Sequence, residues 1–140
     1  MFVVLDTNHF TELALGSGLG KRLSERIEAR GADAFSCIVA AEESLQGWIA
    51  FIRRYPAGRE QVNGYARLES CLQALAKMTI LPFDRTAADI FHDLQTQHRR
   101  TGTMDLKIAA ICIAHEATLL TRNVGDFDGL DGLLVENWLD

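Results

Sequence analysis

The chain has 140 residues, 48% of them apolar and 24% charged, which is the make-up of one globular domain with one sizeable core. Its 19 acidic residues outnumber the 14 lysines and arginines, for a formal net charge of −5. That balance excludes a domain that grips nucleic acid by bulk charge; a local basic patch or a metal would have to meet any polyanion.

Phe2-Val3-Val4-Leu5 is a continuous apolar run rich in β-branched residues, and it predicts a strand buried on both faces. A short helix follows from about His9 to Leu15 and stops at Gly16-Ser17-Gly18. Leu19, Leu23 and Ile27 then recur every four residues, predicting a helix from Leu19 to Arg30. Ala34 to Val39 reads as the second strand, with a helix from about Ala40 to Arg54 after it. Arg59 to Met78 reads as one long amphipathic helix weakened by Gly64, its stripe formed by Val62, Ala66, Leu68, Leu72, Leu75 and Met78.

Thr79-Ile80-Leu81 is the third predicted strand, closed by Pro82. A helix from about Ala87 to Arg99 buries Ile90, Phe91 and Leu94, and Thr101-Gly102-Thr103 breaks it. Asp105 to Glu116 is nearly all apolar, which predicts a central helix. Thr118 to Thr121 is the fourth strand, and Leu133-Leu134-Val135 a fifth beyond a loop. Short buried strands alternating with helices predict one α/β domain over residues 1–140, with a mainly parallel sheet and no internal repeat.

The apolar start ends at Asp6 with no basic stretch before it, and Ile108–Leu120 is interrupted by His115 and Glu116, so neither reads as a secretory signal or a membrane span. Cys37, Cys71 and Cys112 are odd in number and lack any metal-ligand spacing. They read as reduced thiols in or near the core, as expected of a cytoplasmic protein.

In parallel sheets ligands sit at the carboxyl ends of the strands, and this sequence places polar residues there. Strand one runs into Asp6-Thr7-Asn8, strand four runs into Thr121-Arg122-Asn123 with Asp126 beyond, and Glu42 and Glu43 open the helix after strand two. Asp105 heads the most apolar helix, but two helices separate strands three and four and leave its rim open. Each residue has a plainer use: Asp6, Asn8 or Asp105 as a helix cap, Glu42 and Glu43 as acids favoured by a helix dipole, Asn123 and Asp126 as turn formers. Yet no Lys or Arg lies near Asp6 in sequence, and Lys107 points to a different helix face from Asp105. Carboxylates drawn together without such partners need a cation or protons, and an all-oxygen set suits Mg²⁺ or Mn²⁺.

Six segments carry a family resemblance. They are Leu5-Asp6-Thr7-Asn8; Glu43-Ser44-Leu45-Gln46-Gly47; Leu81-Pro82-Phe83-Asp84 with Ala87-Ala88; Asp105-Leu106-Lys107-Ile108-Ala109-Ala110; Thr121-Arg122-Asn123 with Asp126-Phe127; and Val135-Glu136-Asn137-Trp138. In this order, over essentially the whole chain, they resemble the PIN-domain ribonucleases and more narrowly the VapC-type toxins of type II toxin–antitoxin systems. The resemblance implies a three-layer PIN-like α/β fold, with a mainly parallel sheet of four to five strands flanked by helices. It also implies Mg²⁺- or Mn²⁺-dependent hydrolysis of RNA that leaves a 5′-phosphate, a homodimer, and an antitoxin protein whose tail covers the acidic groove.

The same resemblance puts the catalytic, metal-binding acids on Asp6, Glu43 and Asp105. Glu43 is preferred to Glu42 because the family's acid precedes a glycine by four residues, as Glu43 precedes Gly47. Thr7, Asn8 and Thr121 would fix the carboxylates, and Asn123 and Asp126 would complete the rim. Asn123 departs from the Asp of many members, and it bears on a second metal more than on the first. Arg122 is the candidate RNA contact, and His9 reads as a peripheral histidine near the site. The rival readings are a PIN domain that binds without cutting, favoured by Asn123, and an Asp-based phosphotransfer domain. The latter is disfavoured by Asn8 in place of a second Asp and Arg122 in place of a Lys.

Overall fold

The computed structural model describes residues 1–140. Five strands form one parallel sheet: β1 (Phe2–Leu5), β2 (Asp33–Cys37), β3 (Ile80–Leu81), β4 (Thr118–Leu120) and β5 (Leu134–Glu136), in the order β3-β2-β1-β4-β5. Val4 lies beside Phe35 on one side and Leu119 on the other. β1 is therefore central, and Val3, Val4 and Leu5 are wholly buried, as a strand without polar alternation requires.

Six helices cover the two faces: α1 (Thr7–Leu15), α2 (Gly18–Ala29), α3 (Ile38–Arg53), α4 (Val62–Ala76), α5 (Arg85–Gln97) and α6 (Thr103–Ala114). Side chains alternate across the sheet and divide the core in two. Val4 and Leu119 pack with Phe91 and Leu94 of α5 and with Leu106 and Ile108–Cys112 of α6. Val3, Leu5 and Leu120 pack with Phe10, Leu23, Cys71 and Leu75, and with Trp138 and Leu139 of the C-terminal segment. Each fully buried aliphatic side chain contributes roughly 1.5–3 kcal/mol against the entropy of ordering the chain.

Several boundaries differ from the sequence reading for identifiable reasons. α1 starts at Thr7 because Asp6 caps it, and Gly16 ends it at φ 63° in the left-handed region. Ile38 and Val39 are β-branched and look like strand, but they are the first turn of α3. The long helix expected from Arg59 is a 3₁₀ turn (Arg59–Gln61) followed by α4. Only part of its expected stripe is buried: Leu75 is inside, whereas Val62 is 65% and Leu72 50% exposed. Gly64 is less a weakness than a fit, since a Cβ there would stand 2.7 Å from Ile52 Cγ1 of α3. The three cysteines are buried and unbridged. No helix is long and apolar enough to cross a membrane.

Candidate active site

The strand order reverses between β1 and β4, so a crevice opens at their carboxyl ends. Asp6 stands there as the residue after β1. Its backbone N–H donates to the Leu120 carbonyl at 3.0 Å, extending the sheet by one rung. Its Oδ1 accepts the Thr7 backbone N–H at 2.7 Å, and its Oδ2 accepts the Thr121 hydroxyl at 3.0 Å. The buried Thr121 hydroxyl in turn accepts the Asn123 backbone N–H at 3.1 Å. Asp6 thus does cap α1, while a chain of hydrogen bonds from β4 sets the orientation of its carboxylate.

Glu43 lies on α3, partly buried, with its Oε1 out of reach of water and without a hydrogen-bond partner. Burial pushes its pKa up, and the charges on Asp6, Asp105 and Glu42 push it further. Asp105 lies in the first turn of α6, where the dipole alone would favour its charge. Burial instead raises its pKa, with Asp6 and Asp126 adding to the rise. The Asp105, Asp6 and Glu43 carboxylates are thus near enough for their charges to act on one another, which puts the N-terminus of α6 on the rim that sequence left open. Beneath them the Cys37 thiol is pushed up to about 11, chiefly by burial and also by Asp6 and Glu43. It stays neutral near pH 7 and supplies neither a thiolate nucleophile nor a soft ligand.

The site is therefore a cluster of oxygen donors of one sign, with no cation paired to Asp6, Glu43 or Asp105. No three Asp, Glu, His or Cys side chains are gathered tightly enough to hold a metal ion as they stand. Like-charge repulsion among these carboxylates works against a closer approach.

The remaining sequence candidates divide. Thr7 supplies its backbone N–H to Asp6, while its own hydroxyl is buried and unpartnered. Asn8 and Asn123 are exposed, and the Asn123 contribution comes from its backbone. Asp126 is exposed in a 3₁₀ turn (Val124–Phe127) anchored by the buried Phe127, near enough for its charge to raise the pKa of Asp105. Arg122 is paired with Asp140 of the C-terminal segment, Nη2 to Oδ1 at 3.2 Å, in an exposed ion pair. His9 corrects the reading of a peripheral histidine. It is wholly buried, and its Nε2 accepts the Trp138 backbone N–H at 3.1 Å.

Sequence reasoning missed a cavity of about 260 Å³ beside Glu43, lined by Thr7, Ser44, Trp48, Phe51 and Arg54 among others. The signal was present as helical spacing. Glu43, Gly47, Phe51 and Arg54 are separated by four, four and three residues, so the first three share one face of α3 and Arg54, its C-cap, continues it.

Comparison with known proteins agrees with this architecture. The chain is 40% identical over 86 residues to Ribonuclease VapC1 of Rickettsia felis, a match covering 56% of this chain and 64% of that protein. It is 32% identical over 68 residues to Ribonuclease VapC2 of the same organism, covering 46% and 51%. The matched stretches thus span between half and two thirds of these relatives' own length. Among solved structures, VapBC2 from Rickettsia felis bound to a promoter DNA fragment superposes at a TM-score of 0.75. The identity there is 22%, and the match covers 99% of both chains, which is a likeness of fold. The PIN domain family matches residues 3–133, nearly the whole sheet and every carboxylate of the site, and the chain belongs to that family.

Proposed function

We propose that this chain is a divalent-metal-dependent endoribonuclease and the toxin of a toxin–antitoxin pair, its 140 residues acting as one domain. The observation that carries the proposal is the unpaired acidic cluster at the β1–β4 crevice of a PIN fold. Burial first, and the Asp6 charge after it, push the pKa values of Glu43 and Asp105 up, and Glu43 Oε1 has no partner. A protein stabilised by pairing its buried carboxylates would not leave them so. The 40% identity to a protein named as a ribonuclease supports the same activity.

The donor chemistry fits a hard divalent ion, Mg²⁺ or Mn²⁺: all-oxygen, net negative, partly buried and otherwise unsatisfied. Asp6 and Asp105 would hold it, with Glu43 directly or through water, and Asp126 adding negative charge from the rim. When bound, such an ion offsets charge on the phosphodiester and makes water a better nucleophile. The protein's own groups do the rest. Thr121 and the Thr7 backbone orient the Asp6 carboxylate, and Glu43 orients the attacking water and takes its proton. RNA phosphates need local cations on a chain of net charge −5, and Arg122, with one of its donors on Asp140, is the candidate beside the site. An acidic groove also suits a basic antitoxin tail, and the likeness to VapBC and toxin–antitoxin complexes supports such a partner; a homodimer belongs to the same proposal on the family resemblance alone. Three free buried thiols suit the cytoplasm.

A second reading, a PIN domain that binds RNA without cutting it, is favoured by Asn at position 123 and by carboxylates not gathered for an ion as they stand. One experiment separates the two. Purified chain, single-stranded RNA and Mg²⁺ or Mn²⁺ should give fragments with 5′-phosphate ends, and EDTA should abolish them. RNA left intact under all metal conditions, with retardation of the strand, supports the binding-only reading.

A further inference from the structure

We propose that the cavity beside Glu43 is a nucleotide subsite, which takes one base of a single-stranded RNA next to the cleaved phosphodiester and places Arg54 against that nucleotide's phosphate. The inference rests on the ribonuclease reading and extends it to residues outside the acidic cluster.

Three independent features of the cavity point to a ligand. Its lining residues carry unsatisfied polar atoms, the Thr7 and Ser44 hydroxyls and, shared with the acidic cluster, Glu43 Oε1; all are sealed from water in the empty cavity, Ser44 being only 6% exposed, so the two hydroxyls would meet an occupant by turning about χ1. One other buried side-chain atom in the protein is in that state, His9 Nδ1, so the unsatisfied groups concentrate at this place. Buried polar atoms are rarely left so, and hydroxyls that both donate and accept can serve the edge of any base. Its apolar lining is aromatic: Trp48 and Phe51 meet edge to face, with ring centroids 5.8 Å apart. Such rings give a base a stacking surface regardless of sequence. Finally, Arg54 lines the cavity exposed and without an ion pair, since the protein's two ion pairs are Arg30–Glu136 and Arg122–Asp140.

The Arg54 guanidinium attracts a phosphate and repels a cation, whereas the Glu43 carboxylate in the same lining does the reverse; the aromatic pair, which stacks a neutral base, tips the choice to a nucleotide. The volume of about 260 Å³ lies below the ~300–1,000 Å³ of pockets for drug-sized molecules, and so suits one base rather than a length of strand. Because Glu43 belongs both to this lining and to the acidic cluster, the occupant is the nucleotide adjoining the reaction. Ser44 and Arg54 are on this reading binding residues, one meeting the base and the other its phosphate.

The test combines kinetics with fluorescence on the full chain. Arg54→Gln and Trp48→Leu should each raise KM for a short single-stranded RNA roughly tenfold, with kcat within about twofold. Arg54→Lys and Trp48→Tyr should recover most of the loss, and Ser44→Ala should change the ranking of oligonucleotides that differ in one base. In EDTA, where the strand stays intact, the same RNA should quench tryptophan emission. That quench should vanish in Trp48→Phe, which retains Trp138. If the wild type cleaves RNA but these variants match it and no quench occurs, the subsite is refuted while the ribonuclease reading stands. If the wild type does not cleave, the ribonuclease reading fails, and the quench alone decides the cavity: its presence supports a nucleotide site and its absence overturns one. Quenching by a basic peptide but not by RNA also overturns it.

Discussion

The Thr121 hydroxyl donates to Asp6 Oδ2 at 3.0 Å, tying together residues 115 positions apart at the ends of the two central strands. Asp6 has its other oxygen on the Thr7 N–H, so this bond fixes the remaining rotation of the carboxylate. Thr121→Val keeps the volume and removes the donor. If Asp6 holds a divalent ion, Mn²⁺ affinity measured by calorimetry should fall about 10–100-fold, with Thr121→Ser restoring it. Because Thr121 is buried, melting temperatures must accompany the titration; a variant that is folded and binds as the wild type does removes Thr121 from the site.

With no metal bound, the raised pKa values of Asp105 and Glu43 predict that both lower the stability of the fold at neutral pH. Their folded pKa values are raised, so each contributes most stability below its unfolded pKa and loses it as pH rises through the folded value. Asp105→Asn should therefore raise the melting temperature by a few degrees at pH 7, and the gain should shrink toward pH 4. Neutralising a carboxylate held in place by pairing would do the opposite. Differential scanning calorimetry at the two pH values reads the sign.

His9 sets the acid limit. Burial, helped by the Arg122 charge and opposed by Asp140, lowers its pKa from 6.5 to about 4. As pH falls through this window the unfolded chain takes up a proton before the folded one does. The stability His9 allows is thus complete above pH 6.5 and is lost on the way down through pH 4. The full difference is about 3 kcal/mol. Because Asp105 and Glu43 act in the opposite direction, the measurement is a comparison. His9→Gln should be less stable than the wild type at pH 7, with the gap narrowing as the solution is acidified. A gap that stays constant across pH 7 to 4 contradicts the assignment.

Gly20 is where α2 meets α1 most closely. A Cβ there would stand 2.0 Å from the Glu12 carbonyl oxygen and 2.6 Å from its carbon, both backbone atoms that cannot rotate aside. Gly20→Ala should cost roughly 1–3 kcal/mol or more in urea denaturation, because the two helices must part. Gly18→Ala, with nothing within 4 Å of the added carbon, should be close to neutral.

The sequence was most informative where a single physical rule dominated. Val3, Val4 and Leu5 have no polar alternation and are buried on both faces, and Asp6 follows directly, so the central strand and one site residue could be read together. Ile108–Cys112 announced its burial in the same way. Local pattern failed where a partner distant in sequence decided the outcome. His9 looked peripheral because its neighbours gave no hint that Trp138 would close over it. The pairing of Arg122 with Asp140, 18 residues on, was likewise not legible from its neighbours. The rim of Asp105 depended on the path of two helices rather than on any residue near it. Val62 and Leu72 fit an apolar stripe by spacing alone, yet α4 turns them outward.

The most direct measurement of the central claim is cleavage of one labelled single-stranded RNA in Mg²⁺ by the wild type, Asp6→Asn and Asp105→Asn, each first shown by circular dichroism to be folded. Cutting by the wild type, with loss of at least about a hundredfold in rate in both variants, is the expected result. Folded variants that cut as fast as the wild type would show that the acidic cluster is not where the chemistry occurs.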